Sequence, residues 1–184
     1  MDNMADIRKN SVIAAVRSVE DFSKAIKSET EIIFDLNPDI SDVKKKVAAA
    51  HRFGKKLFIH LDLAGGIGKD TSGILFVKDI GVDGIISTRA NIIKSAKAAG
   101  FFTVQRFFAV DSQSVDTAVE SLKSSKADMV EIMPGVVTKV ITALKDRTNV
   151  PVIAGGLIEC EAEILEAFEM GATAVSTGKT ELWK

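Results

Sequence analysis

The sequence predicts an α/β protein with a compact (β/α)₈ barrel, a TIM-like fold, from three observations. Short apolar runs rich in β-branched and aromatic residues alternate with longer segments of helical periodicity, as in parallel strands joined by crossover helices. Eight such units fit into 184 residues, at about 23 residues each. A doubly wound open sheet shows the same alternation, but the unit count and the glycine-rich ends of the last two units favour a closed barrel.

The predicted strands follow one another without a linker, so we interpret residues 1–184 as one barrel domain with a ligand site at the carboxyl ends of its strands. The strands are predicted at 12–16, 31–36, 57–63, 84–87, 103–107, 129–132, 151–154 and 172–176. Amphipathic helices are predicted between them, for example at 41–53 and 91–99. Ser18, Ser41 and Asp111 are candidate helix N-caps.

Composition limits the function classes. The 24 Lys+Arg and 25 Asp+Glu residues give a formal net charge of -1, so attraction to nucleic acid requires a local basic patch. The densest basic cluster, Lys44, Lys45 and Lys46, is either a solvated helix face or an RNA contact. No apolar run reaches the roughly 18 residues of a membrane span, and residues 1–10 lack a signal-peptide pattern. We therefore expect a cytoplasmic protein without a membrane partner.

Polar residues at the predicted strand ends are the first candidate site. Side chains alternate along a strand, so the pattern predicts a ring of polar side chains on the inner side of the barrel mouth. Its members are Arg17, Asp35, His60, Asp62, Gln105 and Glu131. Such residues either close the barrel with salt bridges and cap loops, or bind a polyol through its hydroxyls. Carboxylates could also hold Mg²⁺, but no motif fixes a metal site, so no metal or cofactor is predicted.

Glycine and hydroxyl residues end the last two strands. PVIAGGL (151–157) contains Gly155 and Gly156, and AVSTG (174–178) contains Ser176, Thr177 and Gly178. Glycine lets the backbone approach a phosphate closely, and hydroxyls and free N–H groups donate to its oxygens. Because barrels often hold a phosphate between these two loops, the pair predicts a small phosphorylated ligand. The alternative is that both segments are tight turns.

Six segments in order resemble the glycerol uptake operon antiterminator regulatory family over about residues 13–183. They are HLDLAGG (60–66), GIISTR (84–89), QRFFAVDS (105–112), EIMPGV (131–136), AGGLI (154–158) and VSTGKTELW (175–183). The resemblance implies a bacterial regulator that senses glycerol 3-phosphate and acts on the leader of a messenger RNA to prevent early transcription termination. The oligomeric state is left open, a homo-oligomer included.

The resemblance also implies roles for individual residues. The phosphate would be held by Gly155, Gly156, Ser176 and Thr177. The glycerol end would be lined by His60, Asp62, Gln105 and Glu131. The arginines of the STR and QR motifs, Arg89 and Arg106, would orient the anion or the carboxylates. Gly135, in EIMPGV, and Gly178 complete the candidate ligand-binding set.

Two other functions remain open at this stage. A TIM-barrel isomerase, aldolase or lyase would use Glu131 as general base and His60 as acid or electrophile on a small phosphorylated polyol or sugar. A scaffolding barrel would use neither. For the regulator, we expect the ligand to shift the population between two states by ordering mouth loops such as residues 65–70.

Overall fold

A computed structural model describes residues 11–184 as a closed barrel, which confirms the predicted (β/α)₈ fold. All eight strands are parallel, each pairs with the next in the chain, and β8 pairs with β1 to close the sheet. The strands are β1 (Ser11–Val16), β2 (Ile32–Asp35), β3 (Lys56–His60), β4 (Gly84–Ser87), β5 (Phe102–Phe108), β6 (Met129–Met133), β7 (Val152–Gly155) and β8 (Ala174–Thr177).

Helices surround the strands. Within residues 11–184 they are α1 (Val19–Ala25), α2 (Val43–Arg52), α3 (Thr71–Asp79), α4 (Ala90–Ala98), α5 (Gln113–Ser125), α6 (Thr138–Lys145) and α7 (Glu161–Glu169). Two short 3₁₀ turns, Leu61–Leu63 and Thr180–Leu182, follow β3 and β8. Trp183 holds the segment after β8 against the barrel, because its Nε1 donates to the carbonyl of Thr177 at 2.9 Å.

The apolar core has two layers because side chains alternate along each strand. One set fills the barrel interior, where the rings of Phe34 and Phe58 stack with centroids 5.5 Å apart. The other set, including Ile33 and Leu57, packs against the helices. This alternation decides which polar side chain at a strand end enters the mouth, defined here as the open end of the barrel at the carboxyl ends of the strands.

The predicted strand at 57–63 is too long. The strand ends at His60, and Leu61–Leu63 form a 3₁₀ turn. Leu63, which a strand over 57–63 would place against the helices with Leu57, is instead 54% exposed. The HLDL segment has the apolar–polar alternation of a strand, which explains the prediction. In the structure the chain turns here, and Asp62 accepts a hydrogen bond from the backbone N–H of Thr88.

The predicted helix N-caps have different outcomes. Ser18 is confirmed, because its Oγ accepts a hydrogen bond from the N–H of Asp21. Ser41 is wrong: Asp42 is the N-cap residue of α2, and the Ser41 hydroxyl instead donates to Asp39 Oδ1 at 2.6 Å. Asp111 precedes the N-cap residue of α5 but accepts the N–H of Ser114 at 2.9 Å.

Candidate functional site at the barrel mouth

A buried polar network lies in the barrel interior just below the mouth. Glu131 on β6 is fully buried, and its Oε2 accepts a hydrogen bond from Arg106 Nε on β5 at 2.6 Å. Its Oε1 accepts the hydroxyl of Ser176 on β8 at 2.5 Å. The guanidinium is only 5% exposed, so this is a buried ion pair with its carboxylate satisfied on both oxygens.

Gly155 makes room for this network. A Cβ at this position would lie 2.5 Å from Glu131 Oε1 and 2.6 Å from Ser176 Oγ, closer than real contacts allow. The last residue of β7 must therefore be glycine for the neighbouring carboxylate and hydroxyl to meet. Part of the glycine-rich signal at 155–156 thus comes from packing inside the barrel.

His60, at the end of β3, carries an unused hydrogen-bonding atom. Its side chain is buried, and its Nδ1 has no partner, a property it shares among the buried side-chain atoms of residues 11–184 only with Asp42 Oδ1. Burial lowers the pKa of His60, and the charge of Arg106 lowers it further. A neutral imidazole with a free ring nitrogen can accept from, or donate to, a ligand hydroxyl.

Asp62 is held rigidly beside His60 by the end of β4. Its carboxylate accepts the hydroxyl of Ser87 at 2.7 Å and the N–H and hydroxyl of Thr88 at 2.7 and 2.9 Å. Burial works to raise the pKa of Asp62, but these hydrogen bonds outweigh it and the pKa is lowered. Arg89 Nε lies 3.8 Å from Asp62 Oδ1, with its side chain 58% exposed.

Ser87 and Thr88 were missed as candidates in the sequence. Both hydroxyls belong to the GIISTR segment and lie at the end of a strand, Ser87 as the last residue of β4 and Thr88 just after it, as Ser176 and Thr177 lie at the end of β8. That position in the unit was the available signal. Their role is to orient Asp62.

The two hydroxyls predicted to hold a phosphate are engaged within the protein. Ser176 donates to Glu131, and Thr177 Oγ1 donates to the carbonyl of Ile158 at 2.7 Å, tying the β8 loop to the β7 loop. The backbone is different. Within the part of the chain that the structure describes, no hydrogen bond uses the N–H groups of Gly156, Leu157 or Gly178.

Gly135 holds the loop after β6 against the end of β7. Its N–H donates to the carbonyl of Gly155 at 2.6 Å and to that of Gly156 at 3.1 Å. A Cβ on Gly135 would lie 2.8 Å from the Gly155 nitrogen. This residue therefore positions the β7 loop, and its own N–H is already used.

Asp35 and Gln105 do not join the predicted ring. On β2, Phe34 faces the barrel interior, so Asp35 faces α2, where Lys46 Nζ binds its Oδ2 at 2.9 Å. On β5 the inward residue is Arg106, and Gln105 faces α5, where it donates to the hydroxyl of Ser121 at 2.8 Å. Both strands are buried on both faces, so the sequence pattern did not show which set points inward.

The predicted basic cluster is smaller than three lysines. Lys44 and Lys45 are exposed on α2. The side chain of Lys46 is only 11% exposed and forms ion pairs with Asp35 and Asp42. Lys46 therefore supports the packing of α2 on the barrel and is not available to a nucleic acid.

Two further properties concern residues 11–184. This range holds no group of three or more His, Cys, Asp or Glu side chains arranged to bind a metal ion. None of its helices is long and apolar enough to cross a membrane.

Comparisons with known proteins agree with these observations. The chain is 38% identical to the Escherichia coli K12 protein named Uncharacterized protein YgcP, over 96% of this chain and 93% of that one. The solved glycerol uptake operon antiterminator regulatory protein of Listeria monocytogenes is 33% identical, with a TM-score of 0.89 and 94% of each chain covered. A glycerol uptake operon antiterminator-related protein of Thermotoga maritima is also 33% identical, with a TM-score of 0.85 and coverage of 96% and 99%.

The family model named glycerol-3-phosphate responsive antiterminator matches residues 12–183, nearly the whole chain and every strand of the barrel. This chain belongs to the glycerol-3-phosphate responsive antiterminator family.

Proposed function

We propose that this protein binds glycerol 3-phosphate at the barrel mouth and, when loaded, promotes transcription through a terminator in the leader of a messenger RNA. The observation that carries the proposal is the mouth's uneven hydrogen bonding. Glu131 and Asp62 are satisfied internally, whereas His60 Nδ1 and the N–H groups of Gly156 and Leu157 have no hydrogen-bond partner among residues 11–184. Unpaired polar groups gathered at one mouth are suited to a small polar ligand.

The ligand's two ends match the two sides of the mouth. A phosphate has only acceptor oxygens and fits the free backbone N–H groups at the ends of β7 and β8. The glycerol hydroxyls can donate to or accept from His60 and can approach Asp62, whose lowered pKa keeps it an acceptor. In this arrangement Glu131, Arg106 and Ser176 set the floor of the site.

The proposed RNA contact lies on α2. Lys44 and Lys45 form an exposed pair on α2, and α2 is joined to the barrel through the ion pair between Lys46 and Asp35. A ligand can favour an RNA-competent state only by binding that state more tightly than the other. The salt-dependent contact with phosphates would come from this local patch, because the net charge of -1 supplies none.

The enzyme alternative finds no support at its intended base. Both carboxylate oxygens of Glu131 are already occupied, Oε2 by Arg106 at 2.6 Å and Oε1 by the hydroxyl of Ser176 at 2.5 Å, so neither is free to face a substrate proton. The described residues of β6 and β7 include no lysine for a Schiff base.

The test is transcription in vitro through a terminator-bearing leader of a glycerol uptake operon. Readthrough should rise only when the protein and glycerol 3-phosphate are both present, and glycerol or inorganic phosphate should not replace the ligand. Readthrough that the protein raises equally with and without glycerol 3-phosphate would contradict a ligand-responsive regulator.

A further inference from the structure

We propose that Arg17 selects the charged ligand: it supplies the positive charge that distinguishes a phosphomonoester from an uncharged polyol. This inference rests on the proposed ligand site and names the residue that sets its preference. The observation behind it is that Arg17 is exposed at the mouth and forms no hydrogen bond or ion pair with any residue of 11–184.

The position of Arg17 follows from strand pairing. β1 lies beside β8, with Ile13 opposite Ser176 and Ala14 opposite Thr177. Ile13 and Ala15 face the barrel interior, and alternation gives Arg17 the same side.

The backbone of β8 also passes close to this point. A Cβ on Gly178 would lie 3.6 Å from the carbonyl oxygen of Ala15, two residues before Arg17. The free N–H of Gly178 and the guanidinium of Arg17 therefore belong to adjacent strand ends at the mouth.

Three other cations at or near strand ends already have carboxylate partners. Arg106 is paired with Glu131, Arg89 lies 3.8 Å from Asp62, and Lys179 Nζ lies 3.7 Å from Glu159. Each of these charges is offset in the protein itself. They add little net attraction for an incoming anion.

The acidic residues nearest to Arg17 in the chain are occupied elsewhere. Glu20 binds Lys24 at 2.9 Å, and Asp21 accepts the hydroxyl of Ser18 at 2.8 Å. Arg17 is thus left with its charge and its planar set of donors available. A guanidinium binds phosphate oxygens in a bidentate manner, which a neutral hydroxyl cannot match.

The experiment is calorimetric titration of glycerol 3-phosphate into wild-type protein, Arg17→Gln and the control Arg52→Gln. Arg52 is an exposed arginine at the end of α2, away from the mouth, so it makes the same change in net charge. Arg17→Gln should fold with an unchanged melting temperature, since the exposed side chain forms no hydrogen bond or ion pair with residues 11–184. We expect its affinity to fall at least about tenfold, the effect of losing one charge-assisted contact.

Two readouts separate a charge contact from a structural effect. The ratio of wild-type to Arg17→Gln affinity should shrink as salt is raised, because an exposed contact is screened. Weak binding of glycerol, followed by ligand-observed NMR, should be equal in the two proteins.

An affinity of Arg17→Gln within about twofold of wild type would overturn the assignment of Arg17. An equal loss in Arg52→Gln would also overturn it, because the effect would then come from net charge alone. Failure of the wild-type protein to bind glycerol 3-phosphate would instead overturn the proposed ligand site, and this inference with it.

Discussion

Glu131 and Arg106 show at the residue scale why the mouth keeps its shape. Each charge lies inside the barrel, where an unpaired ion is costly, and each is compensated by the other at 2.6 Å. Ser176 occupies the second carboxylate oxygen, and Gly155 leaves the space in which these groups meet. The residues above this network can therefore be presented to a ligand on a rigid floor.

Arg106→Met should destabilise the fold by about 3–5 kcal/mol, because it leaves the Glu131 carboxylate buried without its partner. Chemical denaturation followed by circular dichroism measures this free energy of unfolding. Arg147→Met is the matched control, since Arg147 and Asp116 form an exposed pair, and its cost should stay below about 1 kcal/mol. Equal costs for the two variants would contradict the importance given to the buried pair.

Stability should fall as the pH drops below about 6.5 because of His60. Its pKa is lowered in the folded protein, so below the unfolded value of 6.5 the unfolded chain binds the proton first. The contribution of His60 to stability is fully present above that pH and is lost as the pH falls through the pKa that His60 has in the folded protein. Asp62, whose pKa is also lowered, adds a loss below 3.8.

Thermal or chemical unfolding measured between about pH 7 and 5 checks the histidine contribution. The slope should flatten in His60→Gln and should persist in His51→Gln, the variant at the chain's other histidine. A slope that survives the loss of His60 would refute this account.

The sequence predicted part of the site at this scale. His60 ends β3, Asp62 lies in the turn that follows it, and Glu131 points inward from the middle of β6, just below the mouth, so these three belong to the inward set as expected. Asp35 and Gln105 were assigned to the wrong side. Both faces of β2 and β5 are buried, so the sequence alternation does not distinguish an inward face from an outward one. Hydrogen bonding within the protein, such as that of Thr177, depends on tertiary contacts that no local pattern encodes.

At the scale of elements, hydrogen bonds between loops already hold the mouth together. The loop after β3 pairs with the loop after β2, because Gly65 donates to the carbonyl of Pro38 at 2.8 Å and Ile40 donates to that of Gly65 at 2.9 Å. Lys69 Nζ further binds the carbonyls of Ala64 and Ile67. Residues 65–70, which we expect the ligand to order, thus form hydrogen bonds within the protein, and the β7 loop, with its free N–H groups, is a second candidate.

Gly156→Val should abolish binding of glycerol 3-phosphate while the barrel stays folded. Gly156 has a φ of +76°, a backbone conformation in which a β-branched residue is strained, so valine there should shift the β7 loop and its N–H groups; the Cβ would also push the methyl end of Met133 aside, from 2.6 Å. Titration calorimetry and circular dichroism measure the two effects.

Gly54→Val is the matched control for the backbone strain. Gly54 also has a positive φ, +71°, but nothing lies within 4 Å of its Cβ position. Its variant should bind the ligand as wild type does. Unchanged affinity in Gly156→Val would remove the β7 loop from the phosphate site.

At the scale of the whole molecule, the fold was predictable and the RNA surface was not. Eight apolar strands separated by amphipathic helices are compatible with few topologies. In the closed parallel barrel, every strand pairs with a neighbour on both sides. Charge gave no comparable signal, because basic and acidic residues nearly balance over the chain. Only the exposed pair Lys44 and Lys45 remains from the predicted cluster.

Charge reversal at both positions, Lys44→Glu with Lys45→Glu, should weaken binding of the leader RNA and reduce the dependence of its affinity on salt. Filter binding across a salt series measures both quantities. The control is Lys94→Glu with Lys126→Glu, which makes the same charge change at exposed positions on α4 and after α5. If the two double variants bind RNA equally, the α2 patch is not the RNA surface.

The central claim is tested most directly by phosphorus NMR of glycerol 3-phosphate, mixed with purified protein at a substantial molar ratio of protein to ligand. A mouth that binds the ligand without converting it should broaden or shift the phosphate resonance in a saturable way, with no new phosphorus signals over time. New signals that grow with time would show an enzyme, and an unchanged resonance would show that the mouth does not take this ligand; either result would contradict the account.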